Sequence, residues 1–166
     1  MTEHKVTPER LQTLLTYDST LGIIRTERKR KVLPDESGLV TIWDKDLKTR
    51  RKLLYKNLAW ILGNKREVPE GAKVLCLNLN EEDVSLRNLK IVESSAYRDI
   101  QIALRNLNGV LRIAQHPEDK HAYHLIWSEY KKECKAVHYD IGSAEEHKRQ
   151  KEKEFVKFIN KYIVSE

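Results

Sequence analysis

With 166 residues, 40% of them hydrophobic, the chain has material for one ordinary domain or two small ones. No apolar run approaches the ~18–20 residues of a membrane span, and MTEHKVTPER has no apolar stretch behind a basic head, so neither a membrane protein nor a secretory signal is expected. A formal charge of +6 and a pI near 9.2 suit a polyanionic partner without requiring one.

Thr7-Pro8-Glu9 is a helix start, a hydroxyl cap followed by proline, and Leu11, Leu14 and Leu15 carry that helix to about Thr16. Residues 17–22 form a turn and Ile23–Thr26 a strand. The charged stretch 27–38, with Pro34 and Gly38, is a loop. Leu39–Trp43 and Arg50–Tyr55 are the arms of a hairpin around Asp44–Lys48. Leu58, Ile61 and Leu62 have helical spacing within Lys56–Asn64, where Gly63 or Asn64 can end the helix. Val68–Gly71 turns the chain into an apolar VLCL strand. A polar loop and a second apolar run, LKIV, follow it.

Ser94-Ser95 can cap a helix through about Asn106, with Tyr97, Ile100, Ala103, Leu104 and Leu107 on its apolar stripe and Arg98, Gln101 and Arg105 on another face. Asn108-Gly109 marks a break, and the domain boundary is expected there, giving residues 1–107 and 108–166. Three strands are predicted beyond it, Val110–Ala114, His121–Trp127 and Lys135–Ile141, with turns around Pro117 and Lys131–Glu133. Ser143-Ala-Glu-Glu146 has the capping-box pattern. It opens a long helix whose expected buried side is Phe155, Phe158, Ile159 and Tyr162.

Basic residues are concentrated early. Arg25–Lys31 is one cluster, and between Lys45 and Arg66 eight Lys or Arg face a single acid, Asp46. Interleaved with Trp43, Tyr55 and Trp60, they favour phosphate contact over a merely solvated face. Cys76 and Cys134 lack CxxC spacing and sit in apolar or strand-like contexts, the usage of reduced thiols in a cytoplasmic protein.

The first hundred residues resemble phage-type HNH endonucleases related to intron-encoded homing enzymes. The resemblance rests on the stretch Leu14–Gly22, a hairpin, Tyr55-Lys-Asn-Leu58-Ala59-Trp60, Pro69-Glu-Gly71 and then residues 74–90. Laid on the family's V-D-H-I-N-G-D-x-x-D-N-R-x-x-N-L-R, those residues keep Val74, Asn78, Asp83, Asn88 and Leu89, with Lys90 for the usual arginine. The remainder is similar, more loosely, to the Apetala-two-type (ERF-like) DNA-binding domain. Asn108-Gly109-Val110 and Tyr139–Glu146 match it, although Gln115 stands where that family has tryptophan. The implied fold is α+β: a degenerate ββα-metal (HNH-like) module plus a small three-stranded sheet packed on one long helix.

In the family a strand histidine is the general base, the acid before it and a helix asparagine hold a metal ion, and a further asparagine orients the histidine. The motif places these roles at Cys76, Leu75, Tyr97 and Asn88, and only Asn88 retains the family's residue. A thiol titrates near ~8.5 and higher when buried and neutral, leucine offers Mg²⁺ no oxygen, and a neutral phenol is a poor ligand for it. The expectation is therefore no catalytic residue, no metal and no cofactor. Mg²⁺ enters only if Asn78, Asn80, Glu81, Glu82 and Asp83 rebuild a site in the loop. His116, His121, His124, Cys134 and His138 match no zinc module, and Cys76 has no sequence-local histidine to make it a nucleophile.

The resulting reading is a phage-encoded, catalytically inactive HNH-like protein in the host cytoplasm. It binds nucleic acid, double-stranded DNA above all, as a regulator or accessory factor. Lys48, Arg50, Arg51 and Lys52 would grip phosphates, and Arg98, Gln101 and Arg105 would supply groove contacts. Arg112, Tyr123, Trp127 and Lys135 are the candidate sheet contacts, with packing of Tyr123 and Trp127 under the long helix as the alternative. The rival functions are an effector that binds a host protein and a working metal-dependent endonuclease with a rebuilt site.

Overall fold

Thr7 caps the first helix as its sequence predicts, its hydroxyl accepting the Arg10 N–H at 3.3 Å. Helix α1 (Pro8–Leu14) stops one residue short of the apolar pattern because Leu15 is already extended. The computed structural model describes residues 6–130 and 132–164. Within them the chain is a mixed α+β protein with four α-helices and small antiparallel sheets. The start MTEHK and Lys131, in the turn predicted before the last strand, lie outside the described residues.

Contacts divide the chain into two compact units, residues 1–92 and 93–166. In the first, β1 (Leu15–Asp18) pairs antiparallel with β2 (Ile23–Thr26), where the sequence reading has only a turn before residue 23. Gly22 closes that hairpin at φ +65°. A Cβ there would lie 2.6 Å from the backbone nitrogen of Ser85, so the position needs glycine for both its conformation and the approach of that loop. The predicted hairpin forms as β3 (Leu39–Asp44) and β4 (Thr49–Leu54), with Trp43 opposite Arg50 and Thr41 opposite Lys52. Helix α2 (Tyr55–Asn64) follows directly and ends at Lys65, which takes the left-handed cap conformation expected of Gly63 or Asn64. The strand β5 (Ala72–Cys76) pairs with β6 (Leu89–Glu93) across the polar loop.

A buried carboxylate organises the turn of β3–β4. Asp44 is 0% exposed, accepts the backbone N–H groups of Asp46 (3.0 Å) and Leu47 (3.2 Å), and is held in a fork by Arg10, whose Nη2 lies 2.9 Å from Oδ1. Arg10 also reaches Asp46. The charge-assisted pair satisfies both acceptor oxygens, which is what permits a carboxylate to be buried here.

The second unit contains α3 (Tyr97–Arg105), then β7 (Arg112–Gln115), β8 (Tyr123–Glu129) and β9 (Lys132–His138) in one antiparallel sheet, and the long helix α4 (Ile141–Tyr162). The expected boundary at 107/108 is thus displaced to 92/93 in the contact pattern, because α3 packs on α4. Asn106 fixes this arrangement. It is 1% exposed, its Nδ2 donates to the Ser128 carbonyl at 2.8 Å and its Oδ1 accepts the Ser128 N–H at 2.9 Å, so one side chain imitates a strand partner for β8. The β8–β9 register pairs Glu129 with Lys132 and Ser128 with Glu133, so Lys132 and Glu133, expected in the turn, are strand residues. Asp140, not Ser143, caps α4, accepting the Ser143 N–H at 2.9 Å. Of the expected buried side of α4 only Ile159 is buried, with Ala144 towards the other end.

Two outcomes are expected. The Asp44 carboxyl is held down to about 2, first by its bond to Arg10. A depressed carboxylate contributes stability that is present above the unfolded pKa and is lost as pH falls, so Asp44→Asn should flatten the acid limb of an unfolding titration between about pH 4 and pH 2. Asn106→Ala leaves the N–H and C=O groups of half-buried Ser128 without this partner. It should lower the opening free energy of β8 amides, measured by native-state hydrogen exchange, by about 2–3 kcal/mol.

Candidate functional site

The stretch that would carry chemistry in a nuclease is packed as core. Val74, Leu75 and Cys76 at the end of β5 are all buried, as are Leu89, Ile91 and Val92 in β6. Cys76 is 3% exposed, and burial pushes its thiol up to about 11. The Lys56 ammonium opposes that rise, and the Glu81 and Asp83 carboxylates add to it. A thiol in this state is neither a general base nor a nucleophile at neutral pH.

Asn88, which the resemblance expects to orient a histidine, is 6% exposed and serves the loop. Its Oδ1 accepts the Asn78 N–H at 2.9 Å and its Nδ2 donates to the Asp83 carbonyl at 2.6 Å. The other polar loop residues bond among themselves. Asp83 accepts the Ser85 hydroxyl at 2.7 Å and Asn78 Nδ2 at 2.8 Å, Asn78 Oδ1 accepts the Asn80 N–H, and Asn80 Oδ1 accepts the Glu82 N–H. These bonds hold the Asp83 carboxyl below its ordinary value. Among the described residues no group of three His, Cys, Asp or Glu side chains is placed to hold a metal ion. Tyr97 belongs to α3 in the second unit.

Lys56 is the residue that the sequence reading passes over. It lies in the first turn of α2, is buried, and pairs with Glu81 of the loop. A lysine inside an apolar helix face is visible in the sequence, but its partner 25 residues away is not.

The basic hairpin separates into two faces. Arg51 points with Thr49 and Leu53 towards Val40 and Ile42. Its Nη1 donates to the Val6 carbonyl at 2.6 Å, and its two Nη atoms hold Glu67 at 2.7 and 2.6 Å. It is thus engaged as a clamp within the first unit, unlike the other cations of the hairpin assigned to phosphate contact. Arg50 and Lys52 are exposed on the other face, beside Thr41 and Trp43. Trp43 is 53% exposed. Lys48, at φ +47°, lies at the tip of the hairpin.

In the second unit Arg98 and Arg105 are exposed on α3, and Gln101 is half-buried, its Nε2 3.4 Å from the Tyr97 hydroxyl. Arg112 and Lys135 flank Ile126 in one cross-strand row of the sheet, and Lys135 pairs with Glu133 at 2.9 Å. Trp127 lies on the opposite face against α4. Its ring meets His147, the Lys151 ammonium sits 5.0 Å from its centroid, and its Nε1 donates to Glu129 at 2.7 Å. Tyr123, four residues earlier on the same strand, shares that face. Trp127 therefore follows the packing alternative. His138 bonds Ser143 at 2.9 Å and His147 at 3.0 Å, tying β9 to α4, while His116 and His124 form a separate edge-to-face pair.

No family model, no curated protein and no solved structure matches the chain. Among the described residues no helix is long and apolar enough to cross a membrane.

The state of Cys76 has a chemical signature. Iodoacetamide at pH 8 should alkylate native Cys76 at least roughly a hundredfold more slowly than the same residue in urea, because both the thiolate fraction and access fall. Residue-resolved mass spectrometry of the alkylated peptides measures this directly.

Proposed function

We propose that the chain is a nucleic-acid-binding protein on a degenerate HNH-type scaffold, one that binds double-stranded DNA as a regulator or accessory factor without cleaving it. The observation that carries this reading is the open face of β3–β4. Trp43 there stands directly opposite Arg50, with Lys52 opposite Thr41. Among the described residues neither Arg50 nor Lys52 makes an ion pair, whereas Arg10, Arg51 and Lys56 are each held by a carboxylate. Cations left exposed around an aromatic ring are arranged for an external anion. A two-stranded ribbon is also narrow enough for the major groove of B-form DNA.

Packing supports a reading without cleavage. Leu75 and Cys76 have become apolar core, and the loop carboxylates and amides are engaged with one another and with Lys56. A general base and a metal together supply several orders of magnitude in phosphodiester hydrolysis, and neither role has a suited side chain here. The exposed arginines of α3 and Arg112 add basic surface on the second unit.

Electrophoretic mobility shift of a duplex across a salt series tests the reading. Affinity should fall steeply with salt, and Arg50→Glu/Lys52→Glu should flatten the log–log slope by about 2 while weakening binding at ~50 mM salt by tenfold or more. Arg51→Gln should lower the melting temperature and leave that slope unchanged. Plasmid incubated with Mg²⁺ should stay supercoiled. No retardation at ~50 mM salt, or metal-dependent nicking lost in Asn88→Ala, would overturn the reading.

A further inference from the structure

A groove of about 860 Å³ runs between the basic loop after β2 and strand β3, entirely within the first unit. One wall is the edge of β3 that does not pair with β4. Its polarity follows from the hydrogen bonds. The Leu39 carbonyl accepts the Asp35 N–H at 2.9 Å from the side away from β4, and the Gly38 carbonyl accepts the Tyr55 N–H on the β4 side. Backbone groups alternate along a strand, so Thr41 and Trp43 turn their N–H and C=O groups outwards as Leu39 does. All three line the groove.

The opposite wall is also a strand edge. Thr26 N–H donates to the Arg30 carbonyl and Val32 N–H to the Ile24 carbonyl, which docks residues 30–32 on β2. Lys31, between them, directs its own backbone groups away from β2, and it too lines the groove. The space is thus bounded by two strand edges, with Val32, Leu33 and Leu14 as apolar lining.

From these observations we infer that the groove is a β-augmentation site, which takes an extended acidic peptide segment of a partner protein as a third strand beside β3. The charges choose the peptide. Arg28, Arg30, Lys31 and Lys45 line the groove and make no ion pair among the described residues. Two of the lining acids are engaged. Asp46 is held by Arg10, and Asp35 accepts the Ser37 hydroxyl at 2.7 Å and the backbone N–H groups of Ser37 and Leu39. The remaining acid is Glu27. A main chain supplies donors and acceptors in the alternation that β3 presents, and glutamates on its flanks meet the four cations. A phosphodiester strand has no donors for Thr41 and Trp43, and its charge at every nucleotide would meet the lining carboxylates as well. The site uses the backbone edge of Thr41 and Trp43, whereas the nucleic-acid reading rests on the side-chain face that these residues share with Arg50 and Lys52.

The probe is an acetylated, amidated heptapeptide of alternating glutamate and valine. Its controls are the lysine–valine counterpart and a version N-methylated at alternate residues. Titration should perturb the Thr41 and Trp43 amide resonances of the whole chain, with affinity falling at least tenfold on N-methylation and with lysine for glutamate. Arg28→Glu/Lys31→Glu should reduce binding of the glutamate peptide to a similar degree. The inference is overturned if the peptide leaves those amides unmoved or if the methylated peptide binds equally well. It is also overturned if a dT15 oligonucleotide or self-association of the chain moves the same amides instead.

Discussion

Helix α2 is the constraint on which the first unit depends. Four consecutive residues, Leu58, Ala59, Trp60 and Ile61, have essentially no contact with water, so this helix is buried on every side. At about 1.5–3 kcal/mol for each large apolar side chain removed from water, it outweighs the stabilising contribution of any single polar contact in the unit. Helix α1 and strands β1, β4 and β5 all pack against it. The Trp60 Nε1 has no hydrogen-bond partner among the described residues, a local cost of about 1–3 kcal/mol that the surrounding apolar contact offsets. The same packing explains why the end of β5 is apolar. A strand laid on a helix buried all round is stabilised by apolar residues such as Leu75 and Cys76. Burial of Leu75 and Cys76 therefore strengthens the fold they sit on.

Cations divide by partner rather than by sequence neighbourhood. Arg51 and Lys56 lie within the basic stretch 45–66 and Arg10 lies outside it, yet each is matched to a carboxylate: Glu67, Glu81 and Asp44 respectively. Removal of any one would leave a partly or fully desolvated charge behind, and that asymmetry makes these pairs structural. Arg50 and Lys52 alternate with Arg51 along β4 and project from the other face. One strand thus carries both a structural cation and exposed ones, sorted by the two-residue period of the strand.

Periodicity made much of the architecture legible in the sequence. The starts of α1 and α2, the β3–β4 hairpin, the pair of apolar runs at β5 and β6 and the apolar stripe Ile100, Ala103, Leu104 all follow from local spacing. What escaped it depends on distant partners. β1 looks like a turn because Tyr17 and Asp18 are polar. Its place is fixed by pairing to β2 and by the Tyr17 hydroxyl donating to the Val84 carbonyl at 2.6 Å. The unit boundary is hidden for the same reason. Asn108-Gly109 does break the helix, but the bonds of Asn106 to Ser128 hold α3 to the sheet that follows it. At the candidate site, the apolar character of Leu75 and Cys76 is legible residue by residue, and both are buried. The engagement of Arg51 and Lys56 is not legible in this way.

Small two-stranded sheets leave edges, and how each edge is treated is informative. The outer side of β2 is covered by residues 30–32 through two backbone hydrogen bonds. The outer side of β3 is capped by Asp35 at Leu39, whereas at Thr41 and Trp43 no backbone hydrogen bond covers it among the described residues, and the neighbouring loop forms a groove with it. An exposed edge favours unwanted pairing, and lysine or arginine beside it is the usual protection, because an incoming strand of the same chain would bring like charge. The cations around β3 meet that need. They disfavour a second copy of this basic chain and at the same time favour an acidic strand. Protection against self-association and selection of a partner therefore have the same physical origin: an edge whose backbone groups accept any strand, and side chains that decide which strand may approach.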